Sequence, residues 1–325
     1  MSHLDDLIAA AANVGPLPVA VAAPEDGELL LAVRDAVSNG MVVPHLVGDM
    51  ARAAAEAERC GVDLSELGAR WEEVPARAGG PAEVARRAVS LVRSGEAAVL
   101  MKGKLETAEL LRAVLDRDNG LRTGRLLSHV ALIEMPGVER LVYVTDGGVV
   151  LFPTLEQKLE IVRNAVAVAH ALGVAEPRVA VLAPAETVNP SIPATVDAAA
   201  LSKMADRGQI TGALVDGPFG LDNAVSLAAA ETKGIRGPVA GRADILLVPS
   251  VEAGNLMAKV MTFMAGGRMA GVVVGASAPI VITSRADPHQ TKLLSLALGI
   301  VLAAGRKGEV FGQDSPGQVG SAAGA

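Results

Sequence analysis

Residues 282–287 of this chain, Ile282-Thr283-Ser284-Arg285-Ala286-Asp287, bring two hydroxyls, a guanidinium and a carboxylate into one short stretch. They stand where an apolar run gives way to a helical pattern. An arginine fork donates two parallel hydrogen bonds to a phosphate or carboxylate. The first N–H groups of a helix reinforce such an anion site. The same residue types also build an ordinary N-cap, with Ser, Thr or Asp accepting from the first turn. Anion binding and capping are both open at this point.

Three other junctions carry similar chemistry. In Ser250-Val251-Glu252-Ala253-Gly254-Asn255, Gly254 and Asn255 are expected to open a helix whose free N–H groups suit an anionic oxygen, and Lys259 adds a point charge one turn on. A plain cap with a solvated lysine is the alternative. Asp216, in Val215-Asp216-Gly217-Pro218, leaves an apolar strand and is placed to orient a ligand or a cation, or else belongs to a simple turn. Lys102 closes an apolar run before Gly103, and Arg122 and Arg125 lie in the loop Gly-Leu-Arg-Thr-Gly-Arg beyond it. Single loop cations are commonly solvated.

Other groups are less telling. His129 lies within an apolar run and reads as a satisfied core histidine rather than a base. His45 and His170 do not stand out, and the five histidines show no metal-ligand spacing, so no metal site is expected. Cys60, the single cysteine, rules out an intramolecular disulfide framework and any thiolate cluster, and reads as a small buried hydrophobe. No G-x-S-x-G, no P-loop and no well-placed G-x-G-x-x-G occurs, which disfavours a serine hydrolase, a P-loop NTPase and a Rossmann dehydrogenase.

The positioning elements are legible as alternation. Apolar runs at 17–23, 41–47, 97–101, 178–183, 212–215, 245–248 and 272–275 read as strands. Helical patterns at 28–38, 50–60, 81–93, 107–116, 195–206, 224–230, 255–264 and 290–303 fall between them. Pro81 takes the favoured first-turn position. Thr154 with Gln157 makes a capping box before Leu155, Leu159, Val162, Val166 and Ala169, which share one helical face. Runs at 126–134 and 140–145 follow each other across a short Met-Pro-Gly-Val connection, an antiparallel signal. Continuous apolar strands alternating with helices mean an α/β fold with parallel sheet covered on both faces. A restart after Asp146-Gly147-Gly148 divides the chain into two such lobes, and 325 residues suit two.

Half of the residues are hydrophobic but only 2% aromatic, so helices and strands pack through Ala, Val, Leu and Ile. A net charge of −7 without an aromatic platform argues against nucleic acid. Residues 1–12 carry Asp5 and Asp6 and lack the basic start of a secretory signal. The most apolar stretch, 269–283, is interrupted by Gly275 and Pro279 and is too short to span a bilayer. A cytoplasmic protein without a membrane partner is expected. Residues 305–325, rich in Gly, Ser and Ala, read as a flexible tail.

In one consistent order, several motifs resemble the phosphate acetyl/butyryl transferase family. They are Thr145-Asp146-Gly147-Gly148, Pro153-Thr154-Leu155-Glu156-Gln157-Lys158, the stretch NPSIPATVDA, Val215-Asp216-Gly217-Pro218, Ala240-Gly241-Arg242-Ala243-Asp244, Gly254-Asn255 with Lys259, and Thr283-Ser284-Arg285. Met101-Lys102-Gly103, GLRTGRLLSHVA and the stretch through Asp287 are more similar to the butyryltransferase branch.

The resemblance implies two doubly wound α/β domains with the site in the cleft, as in isocitrate and isopropylmalate dehydrogenases. Residues 1–146 plus 287–304 would form the first domain and 147–286 the second. It implies reversible acyl transfer between CoA and inorganic phosphate, with CoA a substrate, no cofactor, and a homodimer or higher homo-oligomer. Ser284, Arg285 and Asp287 would be catalytic. Lys102, Arg122, Arg125, Asp216, Gly254, Asn255, Lys259 and Thr283 would bind acyl-CoA or CoA and phosphate or acyl phosphate. The carboxylate base of the acetyl branch falls at Thr291 here, so that role does not transfer. A phosphate acetyltransferase is the rival within the family. A non-catalytic CoA- or acyl-phosphate-binding protein and an NAD-linked decarboxylating dehydrogenase on the related fold are rivals outside it.

Overall fold

The apolar runs become strands of one sheet, and the Ala- and Leu-rich amphipathic segments become the helices that cover it. The computed structural model describes residues 1–74 and 80–308. It runs α1 (Asp5–Val14), β1 (Leu17–Ala22), α2 (Gly27–Ser38), β2 (Val42–Gly48), α3 (Met50–Cys60), β3 (Arg70–Glu73), α4 (Gly80–Arg93), β4 (Val99–Lys102) and α5 (Thr107–Val114). Strands β5 (Ser128–Glu134) and β6 (Val142–Thr145) follow without a helix between them. Next come α6 (Leu155–Ala171), β7 (Arg178–Leu182), α7 (Pro193–Asp206), β8 (Leu214–Phe219), α8 (Leu221–Val225), α9 (Leu227–Thr232) and β9 (Ile245–Leu247). Helix α10 (Val251–Lys259) continues as a π-helical turn (Val260–Met264), and β10 (Arg268–Val274), β11 (Ile280–Val281) and α11 (His289–Gly308) complete the chain. No described helix is long and apolar enough to cross a membrane.

The strands form one mixed sheet in the order β3-β2-β1-β4-β11-β10-β5-β6-β9-β7-β8. Five at one side, β3 to β11, are mutually parallel. Four at the other, β6, β9, β7 and β8, are parallel too. Between them β10 is antiparallel to both β11 and β5, and β5 is antiparallel to β6. The two parallel sets therefore run in opposite directions. The expected antiparallel pairing of 126–134 with 140–145 is found, and the expectation of parallel sheet holds within each set.

Alternation along the strands decides what each sheet face buries. On one face Val19, Met101, Leu132, Val181, Val272 and Val281 join helices α1, α2, α6, α7 and α11 in a single apolar core. On the other face the core is split. Ala20, Leu100, Val273 and Ile280 pack under α4 and α5. Ala131, Val144, Ala180 and Leu246 pack under α8 and α9, with α10 against them. The gap between these clusters lies over β11, β10 and β5.

Several boundaries differ from expectation. The 224–230 helix is two short helices broken at Ser226, whose hydroxyl caps the second. Strand β8 runs through Asp216, Gly217 and Pro218 instead of ending at 215. An edge strand tolerates Pro because its outer N–H has no partner to lose. Helix α10 starts at Val251, four residues earlier than expected, because Ser250 caps it. Helix α11 runs to Gly308, so residues 305–308 are helical rather than tail; 309–325 lie outside the described residues.

Candidate active site

In the gap between the two core clusters lies a cavity of about 190 Å³. Asn255 and Lys259 line it from α10, and Thr283, Ser284 and Asp287 from the loop between β11 and α11. Gly147 and Gly148 border it at the end of β6, and His129 stands on β5. Two of the four junctions expected to carry chemistry are thus brought face to face.

The loop after β11 is built by its own side chains. Asp287, which is buried, accepts the Ser284 N–H at 2.7 Å, and its own N–H donates to the Ser284 carbonyl at 3.2 Å. Lys292, on the first turns of α11 and only 2% exposed, donates to the carbonyls of Ser284 at 3.2 Å and Asp287 at 2.6 Å. Ser284 is held at the cavity wall by this clamp. Asp287 thus ties the loop back onto Ser284, and its side chain borders the cavity. Arg285 is not among the residues lining the cavity: it is exposed and paired with the exposed carboxylate of Glu106, which precedes α5.

Lys102 does not line the cavity. It is 5% exposed, and its ammonium donates to the carbonyls of Gly103 and Leu105, each at 3.2 Å. Burial pushes its pKa below the ordinary lysine value, and the charges of Arg285 and Lys292 push it further the same way. Lys102, Arg285 and Lys292 thus form a cationic group beside the Ser284 loop. Lys259 stands in the cavity wall with its ammonium 5.6 Å from the Phe263 ring centre, and it makes no ion pair among the described residues.

On the opposite wall, buried Asp146 shapes the turn after β6. It accepts N–H groups of Gly148 at 2.7 Å, Val149 at 2.9 Å, Val150 at 3.2 Å and His129 at 3.2 Å. This turn and α10 meet backbone to backbone. A Cβ on Gly254 would lie 2.8 Å from the Cα of Gly147 and 3.0 Å from the Asp146 carbonyl. Asn255 Nδ2 donates to the Gly147 carbonyl at 3.4 Å. The Gly254 N–H is spent on the Ser250 carbonyl at 3.1 Å, so the expectation of a free helix terminus at Gly254 and Asn255 is corrected. Gly254 serves close approach, and Asn255 fastens helix to turn.

Arg122 and Arg125 border a separate groove of about 570 Å³ that shares Val149 with the cavity, and Arg125 lies 3.7 Å from Glu160. Asp216 is remote, on the edge strand β8, where it accepts from Gly217 N–H at 2.8 Å and the Ser202 hydroxyl at 3.3 Å. Its expected place at a ligand-facing strand end is corrected, because β8 continues past it.

His129 is the residue the sequence reading misjudged. Its imidazole borders the cavity, and Nδ1 is sealed from solvent with no hydrogen-bond partner among the described residues. A satisfied core histidine would have one. Burial holds its pKa below the ordinary 6.5, opposed by the charges of Asp146 and Asp287. Gly271 was the overlooked signal, since a glycine inside an apolar strand marks a bulky neighbour. Lys292, a charge on the buried stripe of a helix, was the other.

The chain matches the family model described as phosphate acetyl/butaryl transferase over residues 82–300. It is 45% identical to the phosphate butyryltransferase of Clostridium beijerinckii, across 94% of this chain and 99% of that protein. It is 44% identical to the phosphate acetyltransferase of Rhizobium meliloti, across 94% and 95% of the two chains. The crystal structure of a branched-chain phosphotransacylase from Enterococcus faecalis superposes with a TM-score of 0.77 at 33% identity, covering 88% of this chain and 99% of that one. A 4-hydroxythreonine-4-phosphate dehydrogenase from Burkholderia phymatum shares the fold alone, with a TM-score of 0.53 at 17% identity. Matched along most of its length in sequence and in three dimensions, this chain belongs to the phosphate acetyl/butyryl transferase family.

Proposed function

We propose that this protein transfers a short acyl group reversibly between CoA and inorganic phosphate, as a phosphate butyryltransferase-like acyltransferase. The observation that carries the reading is the single cavity that unites the Ser284 loop, Lys259 and a cationic flank in a family member with butyryl- and acetyltransferase relatives. In the acyl-CoA-forming direction the CoA thiolate attacks the acyl-phosphate carbonyl and phosphate departs. Both substrates occupy one cleft in a ternary complex, and positioning supplies most of the rate. Ser284 and Arg285 serve the phosphoryl and oxyanion end, where charge develops. Lys259 and Asn255 assist from α10, Thr283 lines the phosphate end, and Asp287 holds Ser284 in place. Lys102 contributes field, and Arg122 with Arg125 binds the anionic part of CoA along the neighbouring groove.

We read the fold as two lobes of the isocitrate/isopropylmalate dehydrogenase type, residues 1–146 with 287–304 and residues 147–286. The split core supports this division, although β10 and β11 lie within the sheet between β4 and β5. CoA enters as substrate and no resident cofactor is required. A cytoplasmic homodimer or higher homo-oligomer completes the reading, supported by the exposed apolar Leu256, Val260, Phe263 and Met264 along α10 and its π turn.

Phosphate acetyltransferase is the second reading, favoured by the Rhizobium relative at nearly equal identity. An assay of CoA release from acetyl- to hexanoyl-CoA, with and without phosphate, decides. Phosphate-dependent release peaking at four carbons supports the first reading, and a peak at acetyl supports the second. No phosphate-dependent release from any chain overturns both.

A further inference from the structure

The position that the resemblance gives to a carboxylate base in the acetyl branch is Thr291 here, so on the acyl-transfer reading the proton of the attacking thiol needs another acceptor. His129 has the geometry for it. Strand β5 places its side chain on the split face of the sheet, with Ala131 and Ile133, directly in the gap. Its backbone is fixed from both sides: the N–H donates to Asp146 at 3.2 Å, and the carbonyl accepts from Thr145 Oγ1 at 2.8 Å. Two glycines make room for the ring. A Cβ on Gly148 would stand 3.2 Å from His129 Cβ and Cγ, and a Cβ on Gly271 would stand 2.7 Å from Nε2. Glycine in the middle of a strand weakens it, and a buried ring nitrogen without a partner is costly. The fold bears both at one residue, in the cavity that also holds Ser284, Asp287 and Lys259.

Resting on the acyl-transfer reading, we infer that His129 is the base that takes the thiol proton. The imidazole accepts the proton from the CoA S–H as sulfur attacks the acyl carbonyl carbon. The C–S bond forms, the C–O bond to phosphate breaks, and the phosphate oxygen leaves with the bonding pair. The imidazolium then returns its proton to phosphate, so the cycle closes without a further reactant. A thiol of pKa near 8.5 is the stronger holder of the proton, so transfer is concerted with C–S bond formation rather than completed beforehand. The charged groups that act on the ring are Asp146 from the β6 turn and Asp287 from the loop before α11, and Lys259 lines the same cavity from α10. The two carboxylates stabilise the imidazolium, and Lys259 opposes it. Because burial keeps the resting imidazole neutral at pH 7, the basic form is the one present.

The test is kcat and KM against pH for the wild type, His129→Gln and His129→Asn, with butyryl phosphate and CoA as substrates. Wild-type kcat is expected to fall as pH drops below the lowered histidine pKa. In His129→Gln, kcat falls about 10²–10⁴-fold. KM for butyryl phosphate stays within about threefold, as for an interaction made only in the transition state. The residual rate then climbs with pH toward about 8.5, following the thiol's own ionisation. An unchanged kcat in either folded variant, or a reduced kcat with the wild-type pH profile, overturns the assignment. Should both variants misfold, the wild type decides, since a kcat that does not fall anywhere on the acid side of the ordinary histidine value of 6.5 leaves no histidine to assign. A wild type inactive with every acyl chain overturns the acyl-transfer reading and this role with it. An active wild type matched by His129→Gln overturns this role alone.

Discussion

At the scale of single residues, the cations beside the Ser284 loop divide between two tasks. Arg285 is exposed, and its carboxylate partner Glu106 is exposed as well. Such a surface pair contributes less than about 1 kcal/mol, so Arg285→Ala should leave the melting temperature unchanged. If Arg285 meets the departing phosphate, kcat should fall about 100-fold, the scale of losing one donor to a developing charge. Unchanged kinetics in a folded variant would reduce it to an ornament of the surface. Lys102 is the buried counterpart. In the unfolded chain it titrates near 10.5 and in the folded protein below that. Between those values the unfolded state binds the extra proton, so stability from this group rises with pH across that window. Lys102→Met should abolish that slope in urea titrations at alkaline pH. At pH 7, relief of a buried charge and loss of two hydrogen bonds to carbonyls offset to within about 1 kcal/mol. A wild-type stability flat up to pH 10 would show that Lys102 is not strained by its burial.

At the scale of elements, the sequence was most readable where burial dictates the pattern. Strands β1, β4 and β7 are buried on both faces and read as unbroken apolar runs. The capping box at Thr154 and Gln157 is present with both of its bonds. Strand β3, Arg-Trp-Glu-Glu, escaped because it is a charged edge, and β11 because two residues carry no period. The second half of strand β8 escaped because Asp-Gly-Pro signals a turn. Only its edge position and a register shift against β7 between Ala180 and Leu182 accommodate those residues. The site was legible to the extent that loops advertise polar residues. The β11–α11 loop and Lys259 were found, whereas His129 and Lys292 were hidden because their neighbours are apolar. The junction of α10 with the Asp146 turn tests this account of the wall. Gly254→Ala gains about 1 kcal/mol of helix propensity. The added methyl sits 2.8 Å from Gly147 Cα, backbone that cannot rotate away, and overpacking of that kind costs about 1–3 kcal/mol. The clash should win by about 1 kcal/mol in urea unfolding at unchanged m, with KM for CoA raised. A stabilised variant with native KM would mean that helix and turn are not pressed together.

At the scale of the whole molecule, the question is whether the two proposed lobes make two folding units. A split core on one face argues for independence. The opposite face argues against it, because one apolar cluster runs from β2 at one side to β7 at the other, and α11 packs on α1, α2 and β10. The sheet itself is continuous through β10 and β5. Breaking either half exposes apolar surface that belongs to the other, so cooperativity should dominate. Trp71, the single tryptophan, lies in β3 at one edge of the sheet and reports on that side alone. Far-UV circular dichroism reports on all the helices. In urea the two transitions should share one midpoint within the roughly 10–15% uncertainty of such fits. On the proposed placement of CoA in the gap between the two core clusters, CoA should move both curves together, by about 2.7 kcal/mol when its concentration is 100 times its Kd. A fluorescence transition that leads the dichroism, or that stays in place while CoA shifts the rest, would show the β3 side to be a separate unit. The site would then lie between two bodies able to part, instead of in a groove across one continuous sheet.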